Sequence, residues 1–308
     1  DSDNLLDHCV KLSEWRREMP NSATALVALA RAHVEWAWEA RGYGFASAVA
    51  TENWPLFYTR LAEARRLVEQ AIQLGVKDAE AYRLLISIGN GEGRSHEEVR
   101  AALDEGRKFD PTYFPLYQQF AVYLLPRWHG NQGDTAAFAK EMVAELPGDD
   151  GLEAFARIVA RVHNTIGERE PIYLGEVDKA LLVKATEVLM NRRDDRQRET
   201  ELAALAAWVA QDREAALRLL PHIPDGGDES GVWPSPQHRE DFRFWCRNQG
   251  FAETDDAHWF WGSVFHFDHL VAWKDSRSVW CGGGYGPTAM NRIDVQTGRV
   301  VQSLGAPA

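Results

Sequence analysis

Long apolar runs are missing from this sequence. No uninterrupted stretch approaches the roughly 18 to 20 residues that a helix needs to cross a bilayer. No basic segment leading into an apolar core marks a signal sequence at the start. A basic excess is missing as well: 34 Lys and Arg face 46 Asp and Glu, for a formal net charge of −12. Such a chain repels phosphate backbones and anionic lipid, so neither a nucleic acid nor a membrane is expected as its partner. Cysteine is scarce. Cys9, Cys246 and Cys281 are odd in number and far apart, which excludes a disulfide-dense scaffold while leaving room for one bridge. The chain opens at Asp1 without a methionine, as a removed leader or a trimmed tag would leave it. Cytoplasmic location is the default expectation.

Catalytic signatures are also missing. There is no HExxH, in which one helix turn brings two histidines and a glutamate together. There is no GxSxG to mark an activated serine. Gly282-Gly283-Gly284-Tyr285-Gly286 lacks the Lys-Ser/Thr pair and the following helix of a phosphate loop, so a turn is its better account.

What is present is 45% hydrophobic and 26% charged sequence over 308 residues, enough for one large core or two ordinary domains. The pattern is that of paired short helices. DAEAYRLLISIG and SHEEVRAALDEGRKF form one pair, joined by a Gly-rich turn containing Gly91 and Gly93. PTYFPLYQQFAVYLL and DTAAFAKEMVAEL form the next, with Asn131 and Gly133 between them. The two pairs start at Asp78 and Asp110, 32 residues apart, close to the roughly 34-residue tetratricopeptide period. Upstream, Leu26, Ala30, Val34 and Ala37 make one apolar stripe, and Leu61, Ala64, Leu67, Val68, Ala71 and Ile72 another. Each pair offers an apolar side that only a neighbouring pair can cover.

Beyond Pro221 the pattern changes. IPDGGDESGVWPSP reads as a linker, and REDFRFWCRNQG as a short helix within an irregular cap. From Trp259, WFWGSVF, HLVAWK, SVWCGG, NRIDVQ and RVVQSL read as strands, with Thr297-Gly298 turning the last two into a hairpin. Six of the twelve tryptophans fall in this last third, enough apolar bulk to fill a small sheet. The expected fold class is therefore mainly α: an irregular tetratricopeptide-like α-solenoid followed by a small antiparallel β segment. Its expected divisions are a helical scaffold over 1–221, a linker and cap over 222–258, and a β region over 259–308.

Trp36-Ala37-Trp38, Gly42-Tyr43-Gly44, Glu52-Asn53-Trp54 and Leu124-Leu125-Pro126-Arg127-Trp128 carry a family resemblance. Over roughly Ser22 to Leu146 the chain resembles tetratricopeptide-like helical-repeat proteins. Among these it is similar to an uncharacterised bacterial family with an insertion in an early helical pair. The pairs depart from the usual repeat consensus and vary in spacing. The resemblance implies a scaffold and brings no known reaction with it. A second, shorter stretch, Arg292 to Val300, resembles one blade of a β-propeller. A propeller needs several blades, so this stretch is either a small sheet docked on the helices or the front of a longer domain.

The candidate binding residues are Trp36, Trp38, Tyr43, Trp54 and Phe57, aromatics around the inserted loop, with Arg127 and Trp128 beyond Pro126. Rigid aromatic rings and arginine are the side chains that anchor interfaces. The plain alternative is that they pack the core. Trp36 and Trp38 cannot face the same way on one helix. The candidate metal ligands are His258, His266, Asp268 and His269, joined by Cys246 or Cys281. Three such ligands and a water could hold zinc and hydrolyse an ester or amide. In a strand, however, His266 and Asp268 share a face that His269 does not, and histidines beside buried aromatics ordinarily serve as polar partners.

The leading expectation is a non-catalytic scaffold that binds a protein or peptide, neutral or basic at its contact surface, through a helical groove and an aromatic loop. It needs no cofactor, and no residue is assigned a catalytic role. A metal-dependent hydrolase at the C-terminal histidines and a structural helical cap preceding a larger β domain are the alternatives.

Overall fold

The computed structural model describes residues 2–42, 44, 46–166, 177–191, 197–224, 230–233 and 236–247, and the backbone of 269–272, 278–282, 290–294 and 300–304. By its internal contacts the chain divides into two units. The first is Asp1–Thr165 with Glu176–Pro234; the second is Ile166–Gly175 with Ser235–Ala308.

The first unit is a succession of eleven α-helices, with no strand among its described residues. α1 spans Ser2–Glu18, α2 Ala23–Arg41, α3 Asn53–Gln73, α4 Ala79–Glu92, α5 His96–Gly106 and α6 Phe114–Tyr123. α7 spans Asp134–Glu145, α8 Asp150–Ile166, α9 Lys179–Asn191, α10 Gln197–Ala210 and α11 Arg213–Leu219. Short polar side chains set where several begin. Ser22 Oγ accepts from the Ala25 N–H at 3.2 Å, Asp78 Oδ1 from Glu80 at 2.9 Å, and Asp212 Oδ1 from Ala215 at 3.1 Å. Ser95 and Glu98 close a reciprocal capping box at the start of α5. Each such cap stabilises its helix by about 1 kcal/mol.

Packing follows the apolar stripes. α2 lies along α3 in the most extensive helix contact, α4 touches α3, α5 and α6, and α9 pairs with α10. Phe57, Leu61, Ala64, Leu67, Val68 and Ala71 form the buried face of α3. Two glycines decide how closely helices approach. A Cβ on Gly106 would sit 2.8 Å from Tyr82 Cβ and 3.0 Å from Leu116 Cδ2, so its absence lets α5 close on α4 and α6. Gly91 lies inside α4, not in the turn expected of it, and a Cβ there would meet Leu61 Cδ1 at 2.5 Å. The turn itself falls to Gly93, whose φ of 68° is left-handed. No described helix is long and apolar enough to cross a membrane.

The second unit contains α12 (Pro236–Arg247) and the strands β1 (His269–Ala272), β2 (Ser278–Gly282), β3 (Met290–Asp294) and β4 (Val300–Leu304). Their spatial order is β1-β2-β3-β4, each neighbour antiparallel, with Leu270 opposite Cys281, Val279 opposite Ile293 and Asn291 opposite Ser303. A register shift falls between Arg292 and Ile293.

The expected fold class needs correction here. A solenoid followed by an appended antiparallel β segment does not describe the chain: its described residues are mainly helical overall, and in the second unit a helix accompanies the strands. α12 falls in the same unit as the strands. The physical reason lies in what local patterns report. Alternation and aromatic content mark where a segment can be extended, but not which segments share a compact unit. Phe242 and Cys246, four residues apart on α12 and both buried, give that unit a helical component that the reading treated as cap. The expected strand WFWGSVF and the Thr297-Gly298 turn lie outside the described residues.

Candidate functional site

The first unit contains a groove of about 950 Å³ whose lining comes from alternate helices. α2 contributes Arg31, Val34, Glu35, Trp38 and Glu39, an i, i+3, i+4, i+7, i+8 stripe. α4 contributes Glu80, Arg83 and Ser87, and α6 Pro115, Gln118 and Gln119. α8 contributes Arg157, Ala160, Arg161 and Asn164, and α10 Arg198 and Leu202. Each helix thus turns one stripe to the core and another to a shared groove.

Charge pairing holds the groove together. Glu80 accepts from Arg83 at 2.5 and 2.7 Å and from the Tyr113 hydroxyl at 2.6 Å. Burial alone would raise the Glu80 pKa, but the Arg83 and Tyr113 donors outweigh it and hold the carboxyl below its ordinary range. Burial and the same hydrogen bond push Tyr113 up to about 12, so it stays a neutral donor at physiological pH. Arg31 pairs with Glu35 at 2.9 Å, and Arg157 with Glu153 at 2.7 Å and Glu199 at 3.7 Å. The Trp38 indole donates to Ser87 Oγ at 3.2 Å, tying α2 to α4. Gln118 donates to the Arg157 carbonyl at 2.9 Å, tying α6 to α8.

Arg161 differs from these. Its side chain is open to solvent, yet protein surrounds it on the groove wall. That surrounding lowers its pKa, and nearby Arg83 lowers it further. Among the described residues, neither Arg161 nor Arg198 has an ion-pair partner for its guanidinium.

Most of the aromatic candidates gather beside the groove. Trp38 packs edge-on against Phe57 at 5.1 Å and against Trp128 at 5.4 Å; Trp54 meets Phe57 at 6.0 Å and stacks on Tyr58 at 5.8 Å. Arg41 lies 4.7 Å from the Trp128 ring centre and 5.7 Å from that of Trp38, donating to the Gly42 and Gly44 carbonyls. Arg127 approaches the same Trp128 ring at 6.0 Å and donates to the Thr165 carbonyl. Phe57 is buried, and Trp38, Trp54 and Trp128 are half-buried. Of this set only Trp38 lines the groove. Trp36 points elsewhere: the Arg60 guanidinium covers its ring at 3.6 Å and donates to its backbone carbonyl at 2.7 Å. Tyr43 lies outside the described residues.

His258, His266 and Asp268 likewise lie outside the described residues, and His269 is described only by its backbone in β1. Among the described residues no group of three or more His, Cys, Asp and Glu side chains is placed to hold a metal ion. Cys9 and Cys246 are free thiols, both buried.

No protein-family model matches the chain, and no curated protein matches it. The groove's geometry is therefore the main guide to function. Several of its polar residues, Glu80, Arg83, Arg157, Arg161 and Arg198 among them, are not candidates in the sequence. The signal was there in part: Arg157, Ala160, Arg161 and Asn164 repeat at helical spacing on a helix whose opposite face is apolar.

Proposed function

We propose that this chain is a non-catalytic binding scaffold that holds an extended segment of a partner protein in the groove of its first unit. The observation that carries this reading is the groove itself, lined by one stripe from each of five alternate helices. Its volume fits the range of binding clefts. Its lining mixes guanidinium, carboxamide and carboxylate groups, which together can hydrogen-bond a peptide backbone and its side chains. Pairing of successive helices, caps at Asp78 and Ser95, and the likeness of Ser22 to Leu146 to tetratricopeptide-like proteins support a scaffold built from helical repeats. The neighbouring aromatic cluster stiffens one wall through Trp38, so the groove is preformed before a partner arrives. No cofactor or covalent step enters this reading.

Gln119 offers the test, since it lines the groove and tryptophan in its place would fill space a ligand needs. Partners captured on the intact chain from native extract, quantified by mass spectrometry, should be lost from Gln119→Trp. Lys184→Glu, an exposed change on α9 outside the groove, should retain them. Equal recovery on the wild type and Gln119→Trp would remove the groove as the binding surface.

A further inference from the structure

The charge of the whole chain points to a neutral or basic partner, but the groove's own charges point the other way. Five arginines line it, Arg31, Arg83, Arg157, Arg161 and Arg198, against Glu35, Glu39 and Glu80. Three of the five are neutralised where they stand: Arg31 by Glu35, Arg83 by Glu80, and Arg157 by Glu153 and Glu199. Arg161 and Arg198 are left. Both are open to solvent, and among the described residues neither has an ion-pair partner. They stand on the two helices that the Arg157–Glu199 contact joins, Arg161 one turn beyond Arg157 and Arg198 next to Glu199 in sequence. In a protein of net charge −12, two guanidinium groups within one concavity that have no ion-pair partner among the described residues are a local source of positive charge.

We propose that the groove receives an acidic peptide segment, whose carboxylates pair with Arg161 and Arg198. This rests on the groove being the binding surface. A guanidinium matches a carboxylate with two parallel hydrogen bonds, and a partly desolvated groove strengthens each of them. Burial against the groove wall, and then the like charge of Arg83, disfavour the charged form of Arg161, and a bound carboxylate offsets both. A bare polyphosphate fits less well, because Glu35 and Glu39 share the wall and the surrounding surface is acidic. The acidic partner gains at both ends of the groove's charge pattern: its carboxylates meet Arg161 and Arg198, and its backbone amides meet the carboxylates and carboxamides of α2 and α6.

The test uses the intact chain and a random twelve-residue peptide library. Peptides enriched on the wild type should be rich in Asp and Glu. The tightest of them, resynthesised with a fluorescent label, should lose affinity by about tenfold or more on Arg161→Glu/Arg198→Glu. Arg161→Gln/Arg198→Gln should show a smaller loss in the same direction, and Lys184→Glu none. Thermal unfolding of each variant reports whether it folds. Because both arginines are solvent-exposed, the glutamine pair provides a folded comparison if the reversal does not. Enriched peptides without acidic bias, lost on Gln119→Trp, would overturn the charge assignment and leave the groove standing. Acidic peptides that bind equally to the wild type and both arginine variants would overturn it as well. Absence of any enrichment, or enrichment that Gln119→Trp leaves unchanged, would overturn the groove and the acidic segment together.

Discussion

Two neighbouring regions of the first unit share Trp38 and are held by different physics. The cluster of Trp38, Trp54, Phe57 and Trp128 is an apolar joint. It buries rings between α2, α3 and the turn after α6, and Arg41 caps it without a carboxylate partner of its own among the described residues. The groove beside it is a lattice of charges, in which Arg83, Glu80 and Tyr113 satisfy one another while Arg161 has no ion-pair partner among the described residues. The contrast shows two ways of holding helices together. Rings at interface-like positions serve cohesion here, and the groove proposed to take a ligand is lined largely by polar groups.

Three substitutions can break or sharpen this contrast. Phe57→Ala should have the largest effect. Its ring is only 1% exposed and touches Trp38, Trp54 and Tyr58. The lost contacts and the cavity left behind should cost about 3–5 kcal/mol, read by chemical denaturation. A loss under about 1 kcal/mol would mean that the cluster is not the joint described here.

Glu80→Gln should come next, at about 1.5–3 kcal/mol, because it withdraws a charged acceptor from Arg83 and Tyr113. This pair also gives a pH signature. The folded Glu80 pKa lies below its ordinary 4.5, so the contribution is fully present above that value. It is lost as pH falls through the depressed folded value, since protonation then favours the unfolded chain. The wild type should therefore lose more of its melting temperature than Glu80→Gln does on acidification from about pH 5 to pH 3. Parallel curves would show that Glu80 does not carry the linkage.

Arg161→Gln should have the smallest effect on stability, within about 0.5 kcal/mol, since among the described residues the native side chain has no ion pair to lose. A larger destabilisation would assign Arg161 to the scaffold and leave the groove without its distinguishing charge. Measured together, the three substitutions separate residues that hold the unit from residues that it holds out to a ligand.

Much of the helical unit was legible from the chain alone. The Leu26, Ala30, Val34 and Ala37 stripe is buried on α2 as its spacing predicts, and Asp78 and Ser95 cap α4 and α5. The opposition of Trp36 and Trp38 was legible too, because residues two apart on a helix point nearly opposite ways. Other features were not. Gly91 looked like a turn residue because composition cannot tell a glycine that bends the chain from one that lets Leu61 approach. Arg161 was invisible as a site because Arg83, whose charge acts on it, stands far from it in sequence. Only the fold brings Arg83, Arg161 and Arg198 into the lining of one groove.

The striped origin of the groove sets a rule for how this chain can change. Each α-helical residue advances the side-chain direction by about 100°. A single insertion or deletion within α2, α4, α6, α8 or α10 would therefore swing the downstream part of that stripe out of the groove and into the neighbouring packing. Replacement of one lining side chain by another does no such thing. The groove wall can accordingly be rewritten letter by letter while the spacing within each helix stays frozen, with length changes confined to the connecting turns.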